Sequence, residues 1–553
     1  MNRRATLAKL MGRTSKKEQR RQASAATLGG GALDPYTGPW GAQQAAHLLR
    51  RTTFGPTKAE IQTATTDGLA ATLATLLADQ PLPDPPVYFN YGDDPEAGLG
   101  ETWVDAGVDR TNLQLVGARV ASLHGWHYGL FNESGMSIRE QMTLFWHNHF
   151  VIANNNDARV NYRYITLLRE NAMGNFRDLV KGITIDPGML TYLNGNQNTA
   201  VAPNENYARE LLELFTIGKG ELAGPGDYTT FTEEDVVAMA KVLTGWVNVN
   251  RQTEEVGSYF VPNRHDRSTK QLSHRFNNIT IANADEEEYL HLIDIIFQQE
   301  EVARFISRKL YRWFVHYNID DQIELDIIEP MAQLLIQSDY EIKPVLNALL
   351  CSEHFFAAEG IGCMIKHPIG FLFSIVNTFG VISQNLDLIS KYYIWLRLFR
   401  AMDPLGMNLY AHPDVAGWKA FYQAPLYYRT WINSASLPVR MQMAEALVNG
   451  FRISNQNFVR IDVLAFVEGM DNPSDINALL AEMSGLLYAR PLTQEQIDYL
   501  KDILIPGLPD FEWGVEYGEY LGDPTNPDLR AAIESKLQNL VLAMLNLSEF
   551  YLS

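Results

Sequence analysis

The chain has 553 residues, more than one ordinary core supports, so two or three subdomains are expected. Hydrophobic residues at 46% and charged residues at 20% are a globular composition, and two cysteines, Cys351 and Cys363, exclude a disulfide framework or a multi-cysteine metal site. A formal charge of −20 argues against a body that binds nucleic acid, and no apolar run reaches the ~20 residues of a membrane-spanning helix.

Residues 1–40 stand apart as a basic, flexible tail. Arg3, Arg4, Lys9, Arg13, Lys16, Lys17, Arg20 and Arg21 face the single acid Glu18 within the first 22 positions. NRRATLAKL looks like a twin-arginine export opening, yet no apolar stretch follows it. The tail reads as a solvated arm ending in a glycine hinge, with a degenerate export signal or a docking arm as alternatives.

From Leu33 onward the helical period dominates. The expected fold is mainly α, a multi-helix body with long ordered loops and at most a small β-hairpin. Thr57 and Glu60 read as a capping box opening a helix that runs to Gln80. Ser137 with Glu140, Thr232 with Asp235, and Thr493 with Gln496 read the same way. Further helical periods run near 158–171, 203–217, 285–298, 301–317, 320–338, 368–402, 438–449, 475–487 and 528–548. Strand-like alternation is confined to GSYFVP and NNITI, which could pair as the hairpin. The stretch 402–433 holds Trp418, Tyr427, Tyr428 and Trp431 among Pro404, Pro413 and Pro425. It is expected to be an ordered loop anchored by buried rings, because Pro interrupts helices and large rings offset ordering entropy. The domain reading is a helical domain over 41–360 carrying the candidate site and a C-terminal helical subdomain over 361–553.

Of 12 histidines, His124, His127, His147 and His149 fall within 26 positions. His124 and His127 share a helix face. His147 and His149 point about 200° apart, so they converge on one ion only if their helix ends near Phe150. Clustered imidazoles suit zinc, copper, iron or nickel. The alternative is an aromatic core segment whose histidines bond backbone or carboxylates. Near 203–217, Asn206, Glu210 and Glu213 line one side of a helix with Arg209 beside them. Such a stripe holds a hard cation, shares a proton, or is an ordinary solvated face. His265, Asp266, Lys270 and His274 sit in a polar loop, where His265–Asp266 is either a ligand pair or a turn capped by the Asp. Lys366 and His367 precede a Pro that starts a helix. No nucleophile elbow, phosphate-binding glycine loop, GxGxxG or HExxH occurs.

The stretches AAHLLRRTTFGPT, REQMTLFWHNHF, PNENYARELLELFTIG, FTEEDVVAMAKVLTGW, HDRSTK, RKLYRWFV, IKHPIGF, PDVAGW, TWIN and LNLSEFYLS occur in this order. Together they resemble the bacterial domain-of-unknown-function family numbered 1800, over nearly the whole chain. The resemblance implies a helical, often exported protein whose genes neighbour those of a sulfatase-like family numbered 1501, and it supplies positions rather than a reaction. The chain departs from the family in lacking the apolar part of the export signal and in LGMNLYAHPDVAGWKAF.

Two functions are expected. One is a metal-dependent enzyme, a hydrolase or oxidoreductase, with His147, His149 and His265 on a divalent metal. Glu210, Glu213 and Asp266 would be catalytic and Asn206, Arg209 and Lys270 supporting. The other is a non-catalytic scaffold or partner-binding protein, acting with a sulfatase-like family 1501 protein or a secretion or surface assembly. The missing apolar segment places the chain in the cytoplasm, whereas the resemblance points to the periplasm or cell surface.

Overall fold

The computed structural model describes residues 31, 33–90, 94–153, 156–249, 255–383, 385–452 and 458–553. The expectations for residues 1–30 lie outside the described residues. The body is mainly helical, and the sheets among the described residues are pairs of short antiparallel strands. No described helix is long and apolar enough to cross a membrane.

Thr57, Thr232 and Thr493 each close the expected capping box with the residue three positions on. The box expected at Ser137 does not form. Helix Arg139–His149 starts after Ile138 without a side-chain cap, and Glu140 turns into the core. There it takes the Arg169 guanidinium in two bonds of 2.8 and 2.9 Å. A two-pronged, charge-assisted pair is stronger than a single bond to backbone, so the cap loses.

Two long helical periods are broken. Gly68, at φ +83°, divides the first into Lys58–Asp67 and Leu69–Leu76. The period over 368–402 becomes Pro368–Val376 and Leu388–Arg400. Leu388–Arg400 packs along Leu113–Glu133. Gly129 permits that approach, since a Cβ there would overlap the Trp395 ring. The expected hairpin is also corrected. Ser258–Phe260 pairs with Trp246–Asn248, and Thr280–Ile281 pairs with Lys270–Gln271. Each strand has taken a partner close in sequence, where the loop to be closed is short.

Side chains from both 41–360 and 361–553 contribute to one hydrophobic core. The aromatic stretch 402–433 lies on it as short 3-10 turns, Asp403–Leu405, Lys419–Phe421 and Tyr427–Trp431. Trp418 is 1% exposed and Trp431 6%, as expected for rings that anchor a loop.

Candidate functional site

Helix Arg139–His149 ends at the expected place, with Phe150 as its C-cap. His147, Asn148 and His149 are buried at that end, and each reaches a different segment. His147 Nε2 accepts the backbone N–H of Tyr410 at 3.1 Å. Its proton therefore sits on Nδ1, which donates to the Tyr164 hydroxyl at 3.0 Å, and that hydroxyl donates to the Phe150 carbonyl at 2.5 Å. Asn148 Oδ1 accepts the Trp418 N–H at 2.8 Å. The neighbouring Gly417, at φ +92°, passes so close to Asn148 that no Cβ fits.

His149 faces the other way. The expected helix over 203–217 is α-helical only over Glu205–Glu210 and continues as a π-turn, Leu211–Thr216. That wider turn presents carbonyls to side chains. His149 Nε2 donates to the Phe215 carbonyl at 2.9 Å, and its Nδ1 accepts from the Lys309 ammonium at 3.1 Å. Lys309 also donates to the Leu214 carbonyl at 3.2 Å. Burial first, then the charge of Arg312, brings the Lys309 ammonium down to about 7. Burial likewise holds the His147 and His149 imidazoles well below the ordinary histidine value, so both stay neutral.

Around His147 the structure gathers an imidazole cluster wider than the sequence suggested. His127 Nδ1 lies 2.9 Å from the Tyr410 hydroxyl, and His124 stacks on Phe399 with ring centres 4.0 Å apart. The His412 ring centre lies 4.5 Å from that of His147 and 4.1 Å from that of Trp418. Burial lowers His124 and His412 to about 3. Among the described residues, His127 Nε2 and both nitrogens of His412 have no partner.

The third segment forms its own network. His265 Nδ1 bonds the Thr244 carbonyl at 2.9 Å, and its Nε2 lies 3.0 Å from Glu288. Lys270 reaches the other Glu288 oxygen at 2.5 Å, and all three side chains are closed to solvent. Asp266 accepts from the Ser268 N–H and hydroxyl, so it is the turn-capping member of its pair.

The stripe Asn206, Arg209, Glu210 and Glu213 is half-buried or exposed. Arg209 takes Glu233 with two bonds of 3.0 and 2.7 Å, and Glu213 pairs with Lys219 at 2.9 Å. Asn206 donates to the Leu193 carbonyl at 3.3 Å. Glu210 has no hydrogen bond or ion pair among the described residues, and burial, with Glu213 and Asp414 nearby, raises its carboxyl.

His149 therefore meets the turn that continues the Glu210 helix, while His147 joins the aromatic loop and His265 joins Glu288. No group of three His, Cys, Asp or Glu among the described residues is placed to hold a metal ion. Sequence reasoning missed Tyr410, His412, Lys309 and Glu288. Glu288 carried a readable signal: it shares a face with the buried Leu292 and Ile296, at steps of four. Tyr410 and His412 carried none, because their partners lie far away in the chain.

A family model described as "Protein of unknown function (DUF1800)" matches residues 47–511. No curated protein and no solved structure matches.

Proposed function

The chain belongs to this family of unknown function, and from that premise we propose that it is a non-catalytic binding protein whose polar motif residues fasten its loops to the helical body. One observation carries the reading. His147, His149 and His265 each have protein partners at both ring nitrogens. A metal ligand or general base needs a nitrogen lone pair free for the ion or the proton. The bound partner follows the resemblance: a sulfatase-like protein of family 1501, or a secretion or surface assembly. Elemental analysis of the untagged chain tests the first part, and size-exclusion chromatography with a family 1501 protein tests the second. The reading expects no stoichiometric metal and a stable complex. A stoichiometric metal ion that is lost in His147→Ala would overturn it.

One observation favours the second reading, a metal-dependent enzyme. The unpartnered nitrogens of His127 and His412 stand beside His147. A buried neutral imidazole with a nitrogen lone pair to offer suits zinc, copper, iron or nickel. The same elemental analysis decides, with His412→Ala in place of His147→Ala.

A further inference from the structure

Stretches that carry the family resemblance also meet at a partly open pocket of about 70 Å³, which Gln141 of the histidine helix lines as well. Arg50 and Arg51 come from HLLRRT, Lys366 and His367 from IKHPIGF, Trp431 from TWIN, and Phe550 and Ser553 from the closing segment. No Asp or Glu side chain is among its described lining residues.

Its cations have few partners. Lys366 is 8% exposed, and among the described residues its ammonium meets the Ser374 hydroxyl at 3.5 Å and the face of Phe550 at 4.0 Å. Arg51 is also 8% exposed; it spends Nη2 on the Val315 carbonyl at 2.7 Å and leaves Nε without a partner among the described residues. Arg50 donates to the carbonyls of Gly485 and Leu486. Behind Lys366, fully buried Arg440 donates to the Lys366 carbonyl at 3.0 Å, and its Nε and Nη1 have no partner among the described residues. His367 Nδ1 accepts the Gly370 N–H at 3.1 Å, which puts the proton of the neutral ring on Nε2 as a further donor.

The groups acting on these cations are one another, tyrosines and a cysteine, and no carboxylate is among them. The Ser553 hydroxyl accepts from Arg51 at 3.3 Å, but no ion pair joins a carboxylate to Arg51, Lys366 or Arg440 among the described residues. Burial lowers Arg50 and Arg440 to about 10 and Lys366 well below its ordinary value. Buried charges of one sign are costly unless an opposite charge completes them. A pocket lined by Arg50, Arg51, Lys366 and His367, with no Asp or Glu side chain among its described lining residues, offers positive charge to an anion.

We propose that this cavity binds a tetrahedral oxyanion, phosphate or sulfate, held by Lys366, Arg51 and His367. The ion is either free or the head of a monoester. A groove of about 690 Å³ shares Arg50 and Leu486 with the cavity and is lined beyond them by Leu480, Leu492 and Ile497, which leaves room for an ester's organic part. None of His147, His149 and His265 lines the pocket, so its failure leaves the proposed function standing.

Calorimetry on the full chain in chloride buffer tests it with inorganic phosphate, inorganic sulfate, phenyl phosphate and phenyl sulfate. Saturable millimolar or tighter binding by at least one is expected. Tighter binding of the esters identifies an ester head group, and equal or tighter binding of the inorganic ions identifies the free ion. Lys366→Met keeps the stem and removes the charge, and it should weaken binding about tenfold or more, as loss of a charged hydrogen bond does. No binding by any of the four overturns the proposal, as does unchanged affinity in a folded Lys366→Met. Should that variant not fold, wild-type crystals soaked in selenate decide. Anomalous density beside Lys366 and His367 supports the site, and its absence there overturns it.

Discussion

His147 accepts the backbone N–H of Tyr410 across 263 residues of sequence, and this one bond ties the end of a central helix to the aromatic loop. The same ring donates to Tyr164. Removing it leaves a buried amide and a buried hydroxyl each short of a partner, and it opens a hole among packed rings. His147→Ala is expected to cost about 3 kcal/mol or more of stability, from the price of unpartnered groups plus the cavity. Glu210→Gln, at a half-buried carboxyl without a bond, should shift stability by less than about 0.5 kcal/mol. Urea unfolding of both variants checks the pair. Equal losses would show that the histidine is not a fastener.

The second prediction concerns acid. Burial holds His47, His124, His367 and His412 down to about 3. Each folded value lies below the unfolded value near 6.5, so the unfolded chain takes the proton first. The stability contributed by these neutral rings is complete above about pH 6.5 and is lost progressively as pH falls toward 3. Well below 6.5, each ring costs about 1.4 kcal/mol per pH unit. Urea midpoints should therefore fall between pH 6.5 and 5, before most carboxylates titrate, and His412→Gln should make the fall shallower. A flat profile in that window would contradict the buried, neutral assignment.

Two ion networks in the motif should differ sharply in worth. Glu288 is closed to solvent between His265 and Lys270, so Glu288→Ala strands a buried cation and should cost about 3–5 kcal/mol. Arg209 and its partner Glu233 are 30% and 40% exposed. Water screens that pair, and Arg209→Ala should cost about 1 kcal/mol or less. Thermal melts of the two variants at equal pH give the ratio, and comparable losses would refute it.

Local signals were legible in the sequence. Thr57, Thr232 and Thr493 capped as read, Phe150 ended the histidine helix, and Trp418 and Trp431 were buried. Each depends on residues within a few positions, or on a side chain too large and apolar to leave in water. What failed was competition at long range. Ser137 lost Glu140 to Arg169, 29 positions away from it. The surroundings of the candidate site were hidden for the same reason, because residue type shows that an imidazole can bind an ion and not that the Tyr410 N–H bonds its nitrogen. The cationic pocket was invisible because Arg50, Arg51 and Lys366 are ordinary helix and loop residues until the fold brings them together with no Asp or Glu side chain among the described lining residues.

The last prediction tests whether the aromatic loop is structure or binding surface. The Trp418 backbone N–H is held by Asn148, and its ring lies against His412, which itself stands against His147. Trp418→Ala therefore removes a fully enclosed indole from the joint between loop and body. Such truncations cost about 3–5 kcal/mol, because the walls do not collapse to fill the space. The loss should be local first: limited proteolysis should cut the variant within 402–433 while the helical body survives. Tyr422 lies in the same loop with 38% of its surface exposed. Tyr422→Ala should change stability by less than about 0.5 kcal/mol. If Trp418→Ala kept full stability and protease resistance but lost partner binding, the ring would be a recognition platform.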